Sequence, residues 1–205
     1  MHLSSILEKI VNDNTLHSKW LNTLSYMENA GAKKISASEH KEEVTLLILK
    51  HAAEEHRHAY YLKKQLAKLD ENFCKTYSNA ELLAPNYTKY YLNTLDVQVC
   101  RYLKDNFNLS GYDLKFAAYL FVTYAIEVRA DELYPIYQDV LSAKDSRVTV
   151  KSIILEEEGH LEEMLNQLRE FSPDWEKHAQ EIIKIEQKMF NDWMIGLQEE
   201  LTIVA

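Results

Sequence analysis

Residues 54–58 read Glu-Glu-His-Arg-His, and residues 156–160 read Glu-Glu-Glu-Gly-His. Both segments follow the pattern Glu-Glu-x-x-His, and both lie in long stretches whose apolar residues recur with the period of a helix. Positions i and i+3 of a helix share a face, so the second Glu and the His of each segment can offer an oxygen and a nitrogen to one point. The residues concerned are Glu55, His58, Glu157 and His160. Each segment therefore predicts one half of a metal site.

The composition predicts an all-α protein. Of the 205 residues, 46% are hydrophobic and 27% are charged, which is typical of a globular chain and not of a disordered one. Only four Gly and three Pro are present, so few positions interrupt a helix. We expect a single domain over residues 1–205, with a core bundle at about 15–171 and an additional C-terminal helix at about 173–201.

The hydrophobic period places the helices and the turns between them. Helices are expected at about 5–11, 15 to the mid-thirties, 39–69, 86–106, 112–141, 147–171 and 173–201. The turn signal before the second long helix is the Ser-Ala-Ser segment at residues 36–38. In an antiparallel hairpin that brings Glu28 and Glu55 to one depth, however, the turn would fall near their midpoint, at about residue 42. The two indications differ by several residues.

Charge and cysteine content exclude several classes of protein. The formal net charge of −9 disfavours nucleic acid as a partner. Cys74 and Cys100 stand alone, so neither a disulfide framework nor a cysteine-ligated metal module is expected, and electrons would come from an external donor or reductase. The N-terminus lacks the features of a signal peptide, and the longest apolar run is far shorter than the roughly 20 residues that span a bilayer. We therefore expect a cytoplasmic protein with no membrane insertion.

A further carboxylate interrupts the apolar stripe of the helix that precedes each Glu-Glu-x-x-His segment. These residues are Glu28, which lies 27 residues before Glu55, and Glu127, which lies 30 residues before Glu157. A buried carboxylate costs several kcal/mol unless it is paired or bound to a metal. Four inward-facing Glu side chains therefore predict two divalent cations between them. The alternative is that these stripes are misphased and that the charged side chains face solvent.

The doubled arrangement of Glu followed by Glu-x-x-His resembles the ferritin-like di-iron carboxylate superfamily. The resemblance covers about residues 15–171 apart from the crossover. It implies a ferritin-like four-helix bundle with a long crossover, to which this chain adds a helix in the crossover and one at the C-terminus. It also implies six metal ligands, through which catalysis would occur: Glu28, Glu55, His58, Glu127, Glu157 and His160.

The same resemblance implies two Fe ions, with Mn or a mixed Mn/Fe pair left open, and O2 as co-substrate. Our first hypothesis is a non-haem di-iron oxidoreductase that activates dioxygen to oxidise or hydroxylate a small or lipid-like organic substrate. One alternative is a ferroxidase, an iron-handling protein or a peroxide scavenger of the ferritin-like type. Another is a metal-free helical interaction protein. A homodimer stays open as the oligomeric state.

Several residues are expected to support the ligands. In some members of the superfamily an Asp before the ligating Glu hydrogen-bonds a metal-bound imidazole, and Glu54 and Glu156 occupy that place here. They are expected either in that role or at the surface. His51 lies one turn before Glu55 and is expected as a hydrogen-bonded core histidine, with a third nitrogen ligand as the alternative.

Two further positions leave alternatives open. Asp131 is assigned to the surroundings of the metals, and together with Glu132 it competes with Glu127 for the ligand role on its helix. Gly159 interrupts a helix at a cost of about 1 kcal/mol relative to Ala. It would either leave room beside the metals or be tolerated without a role.

Overall fold

The computed structural model describes residues 2–70 and 72–203, and within these ranges it is built from helices and loops, which confirms the all-α prediction. None of the described helices is both long enough and apolar enough to cross a membrane. A short 3-10 turn spans Asn79–Glu81. The α-helices are α1 Leu3–Val11, α2 Asn14–Ser38, α3 Leu46–Leu66, α4 Pro85–Phe107, α5 Gly111–Ala143, α6 Lys151–Phe171 and α7 Trp175–Ile203.

Two long hairpins form the centre of the fold, because α2 packs along α3 and α5 packs along α6. Asp13 caps α2 by accepting hydrogen bonds from the backbone N–H groups of Thr15 and Leu16, at 2.8 and 2.9 Å. In the second hairpin, α5 continues through Pro135 to Ala143. The remaining helices surround the hairpins: α4 packs on α5 and α7, and α1 packs on α2 and α5.

The turn of the first hairpin lies later in the chain than the Ser-Ala-Ser signal predicts. Helix α2 includes residues 36–38, and the connecting loop occupies residues 39–45, around the midpoint at residue 42. His40 stabilises the loop, since its Nδ1 accepts from the backbone N–H groups of Glu42 and Glu43 at 3.3 and 3.0 Å. The predicted start of the next helix at residue 39 is therefore wrong. Val44 lies in this loop and is 68% exposed.

Two apolar clusters fill the interior, and each long hairpin helix contributes to both. The first cluster contains Leu24 of α2, Leu62 of α3, Leu133 of α5 and Ile153 of α6. The second contains Ile35, Ala52, Ala125 and Met164 from the same four helices. On every helix the predicted ligands lie between the residues of the two clusters. The fold therefore places one polar layer inside an otherwise apolar bundle.

A buried ion pair connects the outer helices to the bundle. Arg129 of α5 donates to both carboxylate oxygens of Glu186 on α7, at 2.9 and 2.8 Å. Tyr91 of α4 donates its hydroxyl proton to the same carboxylate at 2.8 Å. The ion pair is almost completely buried, so without these hydrogen bonds the desolvation of the guanidinium and the carboxylate would destabilise the fold.

Gly196 on α7 allows α4 to approach closely. A Cβ atom at this position would lie 2.2 Å from Cδ2 and 2.9 Å from Cβ of Tyr87, so the whole ring would have to move.

We expect Gly196→Ala to lower the free energy of unfolding by about 1–3 kcal/mol, the usual effect of overpacking. Gly159→Ala is the matched control, because Gly159 is exposed and a Cβ there would meet nothing within 4 Å. That change should raise stability by up to about 1 kcal/mol. Equal midpoints for both variants in urea unfolding would contradict the packing described.

Candidate metal centre

The six residues predicted as ligands meet in the polar layer as two overlapping groups. The first group contains Glu28, Glu55, His58 and Glu157, and the second contains Glu55, Glu127, Glu157 and His160. Within each group, one possible ligand atom per residue lies within 4.8 Å of all the others. Glu28 is partly buried and the other five residues are buried. Glu55 and Glu157 belong to both groups, which is the position of a carboxylate that bridges two ions.

Both imidazoles direct Nδ1 towards the middle of the layer. Nδ1 of His58 lies 3.1 Å from Oε1 of Glu157, and Nδ1 of His160 lies 3.2 Å from Oε2 of the same carboxylate. Nδ1 of His160 is also 3.7 Å from one oxygen each of Glu55 and Glu127. The two histidines therefore face opposite oxygens of one shared carboxylate.

The other ring nitrogens form hydrogen bonds that cross between α3 and α6. Nε2 of His58 on α3 is 2.8 Å from Glu156 on α6, and Nε2 of His160 on α6 is 2.9 Å from Glu54 on α3. With a carboxylate at Nε2, that nitrogen keeps its proton, so Nδ1 is the nitrogen that would release its proton and bind a metal. The first Glu of each Glu-Glu-x-x-His segment thus orients the histidine of the other segment. Arg57 holds Glu156 in turn through a two-pronged ion pair.

Glu28 is held from the opposite hairpin by Tyr134, whose hydroxyl donates to its Oε1. Tyr134 is buried, and it follows Glu127 by seven residues, which places both on one face of α5. The seven-residue spacing from Glu127 is the signal in the sequence that could have indicated this partner. The contact restrains the carboxylate on α2, the helix with a single inward acid.

His51 is a hydrogen-bonded core histidine, since partners occupy both of its ring nitrogens. Nδ1 is 2.8 Å from the Tyr119 hydroxyl, and Nε2 is 2.9 Å from Glu163. Glu163 is about one-third exposed and forms an ion pair with Lys50 at the surface. A hydrogen-bonded path therefore runs from solvent through the buried His51 to Tyr119.

The electrostatics of the layer reflect crowded anions. Burial, followed by the charge of Glu28, raises the pKa of Glu55 well above its ordinary value. Burial and the charge of Glu157 do the same to the pKa of Glu127. For Glu157, burial is outweighed by hydrogen bonds from protonated Glu127, His160 and His58, which hold its pKa well below the usual range.

The histidine beside these carboxylates gains protons for the same reason. Burial alone would lower the pKa of His58, but its hydrogen bond to Glu157 and the charge of Glu28 raise that pKa to about 9. In the metal-free site, protons on His58, Glu55 and Glu127 therefore neutralise part of the negative charge of the layer. Divalent cations could neutralise the same charge in place of these protons.

The donor set fits two metal ions. Among the described residues, Glu127 Oε2 is a buried atom without a hydrogen-bond partner, and Nδ1 of His58 faces the Glu157 carboxylate at 3.1 Å. Glu127 belongs to the second group and His58 to the first, so each group has an inward-facing atom that could bind a cation. Four carboxylates balance the charge of two divalent ions, and oxygen with imidazole nitrogen suits ferrous or manganous ions.

Three sequence expectations are corrected or decided around the layer. Asp131 is exposed, so we remove it from the residues that surround the site, and Glu132 is exposed and pairs with Arg129. The 3% exposed Glu127 is therefore the inward acid of α5. Gly159 is exposed too, so it does not leave room beside the metals.

A cavity of about 390 Å³ lies on the carboxylate side of the layer. It lies between α2, α4 and α5, and it reaches Glu28, Glu55 and Glu127, whereas the histidines lie outside its lining. Tyr119 also lines it. Most of the wall is apolar and includes Leu24, Met27, Ile35, Leu92, Leu95, Val122, Ile126 and Leu133. The sequence did not reveal this space, because a cavity depends on how far apart neighbouring helices lie.

Comparisons of the chain with protein-family models, with curated proteins and with solved structures give no match.

We expect the wild-type protein, titrated anaerobically with ferrous iron, to bind about two ions per chain. Each occupied site should add about 2.7 kcal/mol to the free energy of unfolding when free iron is at 100 times the Kd of that site. His58→Ala combined with His160→Ala should remove most of the bound metal, because each group loses its nitrogen donor. The exposed His56 lies in the same segment, so His56→Ala is the matched control and should bind as the wild type does. A wild type that holds no metal at saturating iron would contradict the site.

Proposed function

We propose that the protein is a dinuclear non-haem iron enzyme of the ferritin-like di-iron carboxylate type, which uses dioxygen to oxidise or hydroxylate an apolar organic substrate. The observation that carries this proposal is the apolar cavity, which ends at three of the four clustered carboxylates. A site built only to oxidise iron would need a polar access route and no space for an organic molecule. The cavity therefore favours an organic substrate.

In this proposal, each metal position has its own Glu and His. Glu28 with His58 would hold one ion, Glu127 with His160 would hold the other, and the two shared carboxylates would bridge them. Two ferrous ions bound in this way would supply electrons to dioxygen together. The bundle topology that the resemblance implies would place one ligand set on each hairpin.

The protein's own residues would position the substrate and keep water away from it. The aliphatic walls of the cavity hold an apolar molecule against the carboxylate side of the layer, opposite the histidines. Glu54 and Glu156 fix the imidazoles through Nε2, so the nitrogens that face the metals keep one tautomer. Exclusion of water would protect reactive species from side reactions.

Reduction of dioxygen consumes protons, and the path through His51 can deliver them. Glu163 takes a proton from solvent and passes it to Nε2 of His51, and Nδ1 of the same ring passes another to the Tyr119 hydroxyl, at 2.9 and 2.8 Å. Tyr119 donates its own proton into the cavity. Burial raises the pKa of Tyr119, so the phenol stays protonated and able to donate.

The cavity assignment is tested at Gly31, which lines the cavity one turn after Glu28 and has open space around an added Cβ. We expect Gly31→Leu to fill the cavity and to slow oxidation of medium-chain hydrocarbons, alcohols or aldehydes about 10-fold or more. Bound iron should stay at the wild-type level. Gly31→Ala, the control, adds one methyl group and should keep most of the activity.

Product formation and oxygen consumption distinguish the outcomes of that test. If Gly31→Leu turned over the wild type's substrates at an unchanged rate, the cavity would not be the substrate site. If the wild type consumed oxygen and oxidised iron without any organic product, a ferroxidase would replace the oxygenase or oxidase.

The proton path is tested by Tyr119→Phe, which removes only the hydroxyl. We expect the rate of product formation to fall about 10- to 100-fold, since a positioned acid is lost, while iron content stays constant. The control is Tyr124→Phe on the same helix, because Tyr124 packs edge-on against Trp175 and lies outside the cavity lining. Equal rates for the two variants would remove Tyr119 from the mechanism.

A further inference from the structure

A continuous row of aromatic side chains leaves the cavity and ends at a buried tyrosine–histidine pair. Tyr91, which lines the cavity, stacks on Trp193 with ring centroids 6.1 Å apart. Trp193 stacks on Trp20 at 5.6 Å, and Trp20 meets Tyr137 edge-on at 6.0 Å. All four rings are at most 1% exposed. We call Tyr91, Trp193, Trp20 and Tyr137 the aromatic row.

The row ends in a short hydrogen bond between two buried groups. The Tyr137 hydroxyl lies 2.6 Å from Nε2 of His17, and the two residues are 0% and 1% exposed. Burial lowers the pKa of His17 to about 4, so the imidazole is neutral at physiological pH. Burial raises the pKa of the Tyr137 phenol, so the hydroxyl keeps its proton, and it donates the hydrogen bond when the neutral imidazole carries its proton on Nδ1.

Packing alone does not account for the residue types in this row. Nε1 of Trp20 is buried and has no hydrogen-bond partner among the described residues, a cost that Phe at the same position would avoid. His17 likewise places a polar imidazole ring in the core, where an aliphatic side chain would fill the same space without burying a polar group. None of these residues takes part in the metal site or in the proton path.

We propose that the aromatic row is a redox relay that carries an oxidising equivalent from the cavity to the Tyr137–His17 pair. Tyr137 gives up one electron, which passes through Trp20, Trp193 and Tyr91 to a one-electron oxidant in the cavity. Its phenolic proton moves across the hydrogen bond to Nε2 of His17. The products are a neutral tyrosyl radical, an imidazolium ion and the reduced oxidant.

The proton acceptor is what makes this endpoint favourable. Oxidation of a phenol without proton loss would leave a radical cation in an apolar core, and an unpaired buried charge is costly. His17 is neutral and already hydrogen-bonded, so the proton crosses one short distance. The inference rests on the proposed function only for the source of the oxidant. This oxidant would form when dioxygen is reduced in the absence of substrate, and the relay would remove it before it oxidises the side chains of the cavity wall.

The relay can be tested independently of iron, because Cys100 offers a place for an artificial oxidant. Cys100 lines the cavity and is partly exposed, whereas Cys74 is buried and is therefore shielded from the labelling reagent. The protein is treated with zinc, which is redox-inactive, in place of iron, and a ruthenium photosensitiser is attached to Cys100. A light flash excites the ruthenium, a soluble electron acceptor then oxidises it, and the oxidised ruthenium serves as the one-electron oxidant at the cavity. Transient absorption and electron paramagnetic resonance then follow tyrosyl radicals.

We expect a long-lived tyrosyl radical in the wild type and at least a fivefold lower yield in Tyr137→Phe, which lacks only the hydroxyl. His17→Gln should shorten the radical lifetime about tenfold or more, because the base that holds the proton is lost. Tyr90→Phe is the matched control, since Tyr90 is an exposed neighbour of Tyr91 on the same helix, and it should keep the wild-type yield.

Circular dichroism melts establish that each variant is folded before the flash experiment. A wild type without a long-lived radical, or equal yields in Tyr137→Phe and Tyr90→Phe, would overturn the relay. Neither result depends on iron binding, which is measured separately by titration, so failure of the relay and failure of the metal site are distinguishable.

Discussion

The structure depends on how the charge of four enclosed carboxylates is compensated. Glu28, Glu55, Glu127 and Glu157 meet in one layer between two apolar clusters. Two like charges about 4 Å apart repel by about 4 kcal/mol at an effective dielectric constant of about 20, and burial adds a desolvation cost to each. Protons on neighbouring groups relieve part of this repulsion, as the shifted pKa values of Glu55, Glu127 and His58 indicate. Two divalent cations bound in the layer, as we propose, would relieve it more completely.

The doubling of Glu in each Glu-Glu-x-x-His segment has a structural reason. The second Glu and the His face the layer, while the first Glu reaches across to the histidine of the other segment. The two hairpins thus orient each other's nitrogen donors, and the surface pairs of Arg57 with Glu156 and Lys50 with Glu163 join α3 and α6 along the same seam. On the opposite side, the carboxylates open onto the apolar cavity. The layer therefore has a supported side that carries the histidines and an accessible side for a substrate.

Helical period and spacing were sufficient to predict the helical class and the residues that meet in the layer, because an inward acid on a long apolar stripe has few alternatives. The midpoint between Glu28 and Glu55 predicted the first hairpin turn near residue 42, whereas the Ser-Ala-Ser signal placed it too early, because α2 continues to Ser38 and His40 accepts two backbone hydrogen bonds within the loop at 39–45. Asp131 was misassigned because it lies one turn from Glu127 in sequence, yet it points outward. The crossed hydrogen bonds, the cavity and the Tyr119 path were not predictable, because they depend on distances between helices that no single helix encodes. The metals and the reaction remain proposals.

We propose that Glu55 and Glu157 belong to two metal positions at once. Anomalous diffraction from crystals grown anaerobically with ferrous iron tests this proposal directly, because the technique locates each iron atom. We expect two peaks about 3.5–4 Å apart, with Glu55 and Glu157 between them and one histidine beside each. A single peak, no peak, or two peaks that share neither carboxylate would contradict it.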